Sequence, residues 1–250
     1  MSKWKGLVWV GIAAGLGVVA AIGLPRLAKH MPWSVERRLG SIGSGPADHL
    51  LCKGSEPAER RALDQLVRRL YPLTAEDRTI PISIDVIRGS TVNAFATLGG
   101  RIFVYDGLLQ QARSPDELAG VLAHEIEHVR DRHILQGAVV SLVTWGGLRA
   151  IFQNGDPGVA HSLLSLSFSR EQEAEADEGA LQRMRSTHIS AAGFVEFFER
   201  ARQSGSLPAI LSNHPSDEDR AARAARFSGY STWPALSPDE WRMLRGICKP

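Results

Sequence analysis

The sequence predicts an α+β fold that is mostly helical, with a small antiparallel sheet beside the helix that carries its most informative motif. Two segments, at residues 81–87 and 101–105, have the alternating apolar pattern of short strands. Most other segments after residue 48 have strong helix formers, with apolar residues at helical spacing. A stretch without charges at residues 6–24 adds one transmembrane helix ahead of this fold.

The uncharged stretch determines how the chain is divided. Its nineteen residues are just long enough to span a bilayer, so we expect an uncleaved, lipid-embedded membrane anchor over residues 1–30. A cleavable signal peptide is the alternative, because residues 18–20 have the small side chains of a cleavage site. The short cationic tail before the stretch is typical of a signal anchor that leaves the rest of the chain outside the cytoplasm.

The remainder of the chain has the composition of one linker and one domain. Glycines and a proline among small polar residues predict a juxtamembrane linker at residues 31–48, and residues 49–250 then form one domain. Cys52 and Cys248 lie near the two ends of this domain, and either a disulfide or two separate buried thiols is compatible with the sequence. The formal net charge is only +2 and no basic stripe is present, which argues against a nucleic-acid partner.

Helices and strands follow each other with short turns along this domain. Apolar residues line one side of a predicted helix at 56–70, and isoleucine and valine alternate with polar residues in the strand 81–87. A Gly-Gly turn precedes the strand 101–105. Further helices are expected at residues 114–133, 169–177, 190–202, 216–227 and 238–246.

The helix at 114–133 has a well-marked start. Ser114 offers an N-cap, Pro115 occupies the first helical position, and Glu117 is placed to complete a capping box. The sequence His-Glu-Ile-Glu-His falls inside this helix, at residues 124–128. Histidines four residues apart lie on one face of a helix, so both imidazoles can bind one metal ion.

This HExxH motif predicts a zinc site with hydrolytic chemistry. His124 and His128 are the predicted ligands, and Glu125 projects toward the same ion as a general base. A catalytic site also needs a third protein ligand and an open position for water, whose pKa the metal lowers. Glu125 is then expected to take a proton from that water and deliver it to the leaving amine.

The third ligand is expected on the helix that begins near residue 169. Glu173 and Asp177 are four residues apart and share one face, so Glu173 can bind the metal while Asp177 accepts the second N–H of a ligating histidine. The alternative is an acidic helix surface in water, which is the interpretation we give to Glu171, Glu175 and Glu178.

The segment at 134–152 is apolar and follows the motif helix directly. We expect a hydrophobic helix or flap over the site that touches the bilayer surface, and a second membrane span is the alternative. On a continuous helix, His133 would lie about 140° around the axis from His128 and point away from the metal. It is therefore expected to be structural.

Three further groups of residues accompany the HExxH motif. Ser169-Arg170, Glu173 and Ala176-Asp177 form an SRxxExxAD pattern downstream of it. Asn93-Ala94-Phe95 is followed by residues 100–108, and His214-Pro215 is followed by Arg220. With these motifs, in this order over roughly residues 60–228, the sequence resembles the HtpX-like and CAAX prenyl protease family of gluzincin metallopeptidases.

The resemblance implies a metallopeptidase fold and a role for each matching residue. One Zn²⁺ per chain is held by His124, His128 and Glu173, and a sheet edge at residues 93–95 (Asn93, Ala94 and Phe95) pairs with the polypeptide substrate as an added strand. His214 is expected beside the metal, either as a fourth ligand that keeps the enzyme latent or as a donor to the oxyanion. Arg220 is a further catalytic candidate.

The expected function is that of a membrane-anchored zinc metalloendopeptidase. Broad backbone recognition suits misfolded or damaged envelope proteins, and the expected place is a bacterial inner membrane with the catalytic domain in the periplasm. Secretion to the periplasm after signal cleavage is the alternative location. A chaperone-like module with a latent zinc site and a zinc hydrolase of small amides are the alternative functions. Glu125 argues against the chaperone-like module, because such a module needs no base.

Overall fold

The computed structural model describes residues 23–43, 48–54, 57–144, 168–203, 214, 223–224, 226–227 and 230–249. Within these residues the fold is α+β and mostly helical. The strands are β1 (Ser83–Ile87), β2 (Ala94–Ala96) and β3 (Arg101–Tyr105). The helices are α1 (Trp33–Gly43), α2 (Pro57–Leu70), α3 (Asp106–Gln111), α4 (Pro115–Arg130), α5 (His133–Thr144), α6 (Arg170–Ser186), α7 (Ala191–Gln203) and α8 (Pro238–Leu244). A short 3₁₀ helix lies at Asp77–Thr79.

The sheet is mixed, so the expectation of an antiparallel sheet is wrong in part. Its order is β1-β3-β2, with β3 antiparallel to β2 and parallel to β1. The tight turn after β2 makes β2 and β3 a hairpin, which puts β1 on the other side of β3. Because the chain reverses direction between β1 and β2 and again before β3, β1 and β3 must run the same way.

Helix α4 is the central element of the core. Every residue from Glu117 to Val129 is buried, because α6, α7 and the sheet strand β2 surround the helix. Gly120 lies against Phe194 of α7, where an added Cβ would come within 2.6 Å of the Phe194 Cβ. A helix enclosed on all sides holds its side chains in fixed positions, which suits a site that needs accurate geometry.

The start of α4 is close to its predicted form. Ser114 accepts a hydrogen bond from the Glu117 amide at 3.2 Å, as an N-cap should. The reciprocal half of the predicted capping box is not formed. The Glu117 carboxylate accepts instead from the Arg113 amide at 2.9 Å and pairs with Arg200 of α7 at 2.6 Å. The helix therefore begins where the sequence places it, but Glu117 joins two elements.

Residues 33–43 of the predicted linker form helix α1, which is packed on the domain. Glu36 is buried and pairs with Arg132, whose guanidinium lies 3.3 Å from the Trp33 ring centroid. Gly40 lies so close to the Leu98 carbonyl that a Cβ would not fit. Glycines predict a linker when only local propensity is considered, but here one of them permits close packing. The division of the chain at residues 30 and 48 stays a prediction.

Cys52 and Cys248 are joined by a disulfide, with their Cα atoms 4.9 Å apart. Of the two alternatives left open by the sequence, the structure has the bridge. It ties the segment before β1 to the end of the chain across a separation of 196 residues. Loop-closure entropy gives such a bridge about 5 kcal/mol of stabilisation.

The predicted membrane segments fall mostly outside the described residues. Nearly all of the stretch 6–24 is among the residues that are not described, as are 145–152 of the apolar segment. In the part of the chain that the structure describes, no helix combines the length and the apolar character needed to cross a bilayer. Arg220 and most of the predicted helix 216–227 also lie outside the described residues.

Candidate metal centre

His124 and His128 lie one turn apart on α4, and both are buried. Their Nε2 atoms are 3.0 Å from each other, and both face the same point between α4 and α6. Two imidazole nitrogens at this distance are well placed to share one cation. The helical spacing of the motif therefore produces the predicted convergence.

Glu173 reaches the same point from α6. Its carboxylate oxygens lie 3.4 Å from the Nε2 atoms of His124 and His128, one oxygen to each. A complete capping box between Ser169 and Gln172 fixes the start of α6 just before this residue. The structure thus brings together the three residues that the sequence proposes as ligands.

His214 joins this cluster from a distant part of the chain. Its Nδ1 lies 3.2 Å from His124 Nε2 and 3.0 Å from Glu173 Oε1. The Nε2 of the same ring lies 3.3 Å from Glu125 Oε1. His214 therefore lies beside His124, Glu173 and Glu125, and its role at a metal stays a prediction.

The four side chains form a donor set that fits zinc. One ligand atom from each of His124, His128, Glu173 and His214 lies within 4.8 Å of the other three. Ligands at 2.0–2.1 Å from a tetrahedral zinc are about 3.3–3.4 Å from one another, and the separations of 3.0–3.4 Å between the ligand atoms here are close to that edge length. Imidazole and carboxylate are ligands that Zn²⁺ prefers.

The buried charges favour a cation at this point. Burial lowers the pKa of His124, but its hydrogen bonds to Asp177 and Glu173 outweigh that effect and raise the pKa to about 9. Burial also holds the pKa of His128 well below its ordinary value. The Glu173 pKa is raised by burial and lowered more strongly by its three histidine neighbours, so Glu173 is an anion.

His124 and His128 each have a second contact through the other ring nitrogen. His124 Nδ1 lies 3.0 Å from a carboxylate oxygen of the buried Asp177, as the sequence predicts. His128 Nδ1 lies 3.0 Å from His133 Nδ1, and His133 Nε2 lies 3.1 Å from Glu175. Contacts of this kind fix the tautomer and orientation of a metal ligand.

The expectation that His133 points away from the site is wrong. That expectation assumed one helix through residue 133, whereas α4 ends at Arg130 and α5 begins at His133. Arg132 between them has a φ of 61°, which turns the chain and brings the His133 ring back toward His128. Glu175, expected to be an acidic surface residue, is 57% exposed but reaches His133.

Glu125 is buried beside the donor set and next to strand β2. Its carboxylate accepts a hydrogen bond from the Ala96 backbone and faces His214. Burial raises the pKa of Glu125, and the nearby His214 and His124 oppose the rise. Ala94 and Phe95 lie in β2 and Asn93 directly before it, all three buried. The strand that is predicted to pair with the substrate is therefore adjacent to Glu125, the predicted base.

Two further residues at the site have no counterpart in the sequence prediction. Phe168 stacks on His128 with ring centroids 4.1 Å apart and lies 5.3 Å from the ring of His214. Arg223 donates to Asp177 at 3.3 Å. An aromatic or a basic residue outside a known motif gives no local signal, so neither could be found from spacing.

The profile of Peptidase family M48 matches residues 57–227, which include all four side chains of the donor set and most of the fold around them. The chain belongs to Peptidase family M48. This membership confirms the resemblance to the HtpX-like gluzincins. Zinc is the metal of the M48 metallopeptidases, and the donor set fits it.

Individual M48 relatives support the same assignment. Metalloprotease LoiP of Escherichia coli (strain K12) is 31% identical over 56% of this chain and 60% of its own length. The beta-barrel assembly-enhancing protease of the same strain is 28% identical over 68% of this chain and 39% of its own length. Mitochondrial metalloendopeptidase OMA1 of Schizosaccharomyces pombe is 34% identical over 55% of this chain and 44% of its own length. The chain thus spans between about two fifths and three fifths of these relatives.

Proposed function

We propose that the chain is a zinc metalloendopeptidase that hydrolyses peptide bonds in polypeptides. One Zn²⁺ per chain is held by His124, His128 and Glu173, and Glu125 is the general base. The observation that carries the proposal is the buried donor set with the Glu125 carboxylate directly beside it. A binding module with a structural metal has no use for a buried carboxylate at that position.

The chemistry is divided between the metal and the chain. Bound at this centre, Zn²⁺ lowers the pKa of water and polarises a carbonyl oxygen. Glu125 accepts the proton of the attacking water and passes it to the leaving amine. Its carboxylate is held in place by the Ala96 amide, and burial raises its pKa, which makes it a stronger proton acceptor.

The substrate is expected to add a strand to β2. This strand is at one edge of the described sheet, and the amide of Ala96 contacts the base. A polypeptide paired with residues 93–95 would place its backbone alongside α4, and main-chain pairing makes recognition tolerant of sequence. Misfolded or damaged membrane and envelope proteins are substrates of that kind.

His214 is proposed to hold the enzyme in a latent state. Its Nδ1 is as close to His124 and Glu173 as these two are to each other, so it takes a fourth ligand position that a catalytic site would leave open. The alternative is catalytic, since His214 Nε2 also faces Glu125. Arg220 remains a catalytic candidate by resemblance.

The proposed location is a bacterial inner membrane, with residues 6–24 as a single anchor and the catalytic domain in the periplasm. The Cys52–Cys248 disulfide supports an oxidising compartment. Release into the periplasm after signal cleavage is the alternative. The mass of the mature chain separates the two, because cleavage would leave a chain that begins near Ala21.

The test is hydrolysis of unfolded casein by the full chain in detergent. Cleavage should stop with a chelator and return with Zn²⁺. Glu125→Gln should keep one zinc and lose nearly all cleavage, because the proton acceptor is gone. The chaperone-like alternative would be supported if both the zinc-loaded wild type and zinc-loaded His214→Ala, in which the proposed latency is removed, bind casein without cleaving it. Near-normal cleavage by zinc-loaded Glu125→Gln would remove Glu125 from the mechanism.

A further inference from the structure

His133 is a fully buried histidine that the proposed chemistry does not use. Its ring lies between a metal ligand and a carboxylate, with Nδ1 at 3.0 Å from His128 Nδ1 and Nε2 at 3.1 Å from Glu175. Phe168 covers the His128 side of this group, with its ring 6.2 Å from that of His133. A buried imidazole with both nitrogens engaged has a defined tautomer.

The tautomers follow from the metal. When His128 uses Nε2 for zinc, its single ring proton must be on Nδ1, and that N–H donates toward His133. His133 Nδ1 is then the acceptor, so the His133 proton is on Nε2 and donates to the Glu175 carboxylate. Every contact in the chain from His128 to Glu175 then has one donor and one acceptor.

We propose that His133 is a positioning residue for the zinc centre, which holds His128 in the metal-binding tautomer and orientation and passes the hydrogen bond on to Glu175. This inference rests on the proposed zinc site. His133 is not itself a member of the donor set and acts only through its contact with His128. A metal-binding histidine usually pairs directly with a carboxylate, whereas here the imidazole of His133 lies between His128 and the carboxylate.

A second metal site is the rival interpretation of the same residues. Asp131, His133 and Glu175 have ligand atoms close enough to hold an ion. A metal at His133 Nε2 would force the proton of that ring onto Nδ1, where it would meet the N–H of zinc-bound His128 at 3.0 Å. Two donors cannot face each other at that distance, so zinc at His128 excludes a second metal at His133.

Two amide substitutions test the hydrogen bond rather than the volume of the ring. Asn at position 133 places its side-chain oxygen where Nδ1 was and can still accept from His128. Gln places its amide near the former Nε2 and has no acceptor at that point. His133→Gln should weaken zinc binding about 10- to 100-fold, the usual effect of losing such a partner, whereas His133→Asn should stay within about threefold of wild type.

The experiment measures zinc affinity of the full chain in detergent by competition with a chromogenic chelator. The Co²⁺ absorption spectrum of each variant reports ligand geometry independently of activity, and it should change in His133→Gln and be restored in His133→Asn. Circular dichroism confirms that both variants fold. If either one fails to fold, His133→Phe, which also lacks the acceptor, replaces the Gln variant, and His133→Ser with added imidazole replaces the Asn variant.

The outcomes separate this inference from the proposed function. A wild-type chain that binds no zinc overturns the proposed function and the inference with it. Zinc binding by the wild type with equal affinities for the Gln and Asn variants overturns the role of His133 alone. A second equivalent of zinc that is lost in both variants, while the first is unchanged, would overturn the positioning role of His133. It would show that Asp131, His133 and Glu175 form a second metal site.

Discussion

His124 and His128, the two proposed ligand histidines of α4, are supported in different ways. His124 leans directly on Asp177, a fully buried carboxylate that also contacts Arg223. His128 contacts the neutral His133, and Glu175, the carboxylate that His133 contacts in turn, is 57% exposed. His124 is thus supported by a buried charge in direct contact. His128 is supported by a chain of two hydrogen bonds that ends at a largely exposed carboxylate.

The difference has an electrostatic consequence. Burial opposes charge on both rings, but in His124 the hydrogen bonds that the ring donates to Asp177 and Glu173 outweigh burial and raise the pKa to about 9. In His128 burial prevails and lowers the pKa. A neighbouring anion makes an imidazole a more basic ligand, so His124 should depend on its carboxylate more than His128 depends on Glu175.

Removing the ligand that both histidines share should have the largest effect. Glu173 contacts His124 and His128 through separate oxygens. Glu173→Ala should lose zinc and casein cleavage, because the cluster would keep only its imidazoles. Glu171→Ala on the exposed side of the same helix is the matched control. Metal content by atomic absorption checks both, and full zinc occupancy in Glu173→Ala would show that it is not a ligand.

Removing only the charge that supports His124 should reduce zinc binding less than removing Glu173. Asp177→Asn keeps the shape of the side chain but removes its charge, so His124 loses its anionic partner. Zinc affinity should fall about 10- to 100-fold. Chelator competition measures the change, with Glu178→Gln as the control on the same helix. An unchanged affinity would mean that the buried charge of Asp177 serves the fold and not the metal.

Removing His214, whose ring lies beside both His124 and His128, should test whether the fourth ligand position is blocked. His214→Ala should keep zinc and raise basal casein cleavage severalfold, because the fourth ligand position becomes free. Under the catalytic alternative the same variant should lose about 100- to 1,000-fold in rate, as for a lost oxyanion donor. No change in zinc content or in rate would make His214 an ordinary loop residue.

The features that the sequence predicts well are local. The cap at Ser114, the pairing of His124 with His128, and strand β3 depend on residues within a few positions of one another. The Glu173 site followed from a helix motif and its resemblance to a family. Such features can be predicted because helical spacing and caps act over one or two turns.

The features that the sequence prediction missed depend on distant contacts. The parallel pairing of β1 with β3 follows from the hairpin on the other side of β3. Helix α1 forms in a glycine-containing segment and is held by Glu36 and Trp33 against Arg132. The same Arg132 has the positive φ that redirects His133. Neither the turn nor the contact has a signal in the local sequence, since arginine favours helix continuation there.

The smallest change in zinc affinity should come from a substitution of Glu175, the exposed carboxylate that contacts His133. Glu175→Gln removes a charge that is largely in water, and the new amide oxygen can still accept the His133 Nε2–H, so zinc affinity should change by no more than about threefold. Zinc occupancy at saturating metal should be unchanged. The measurement is the same chelator competition used for Asp177→Asn, in the same buffer and detergent, with Glu178→Gln as the shared control. A loss in Glu175→Gln that equals or exceeds the loss in Asp177→Asn would reverse the comparison: the exposed carboxylate would then be the stronger support, and the burial of Asp177 would need another explanation, such as its contact with Arg223.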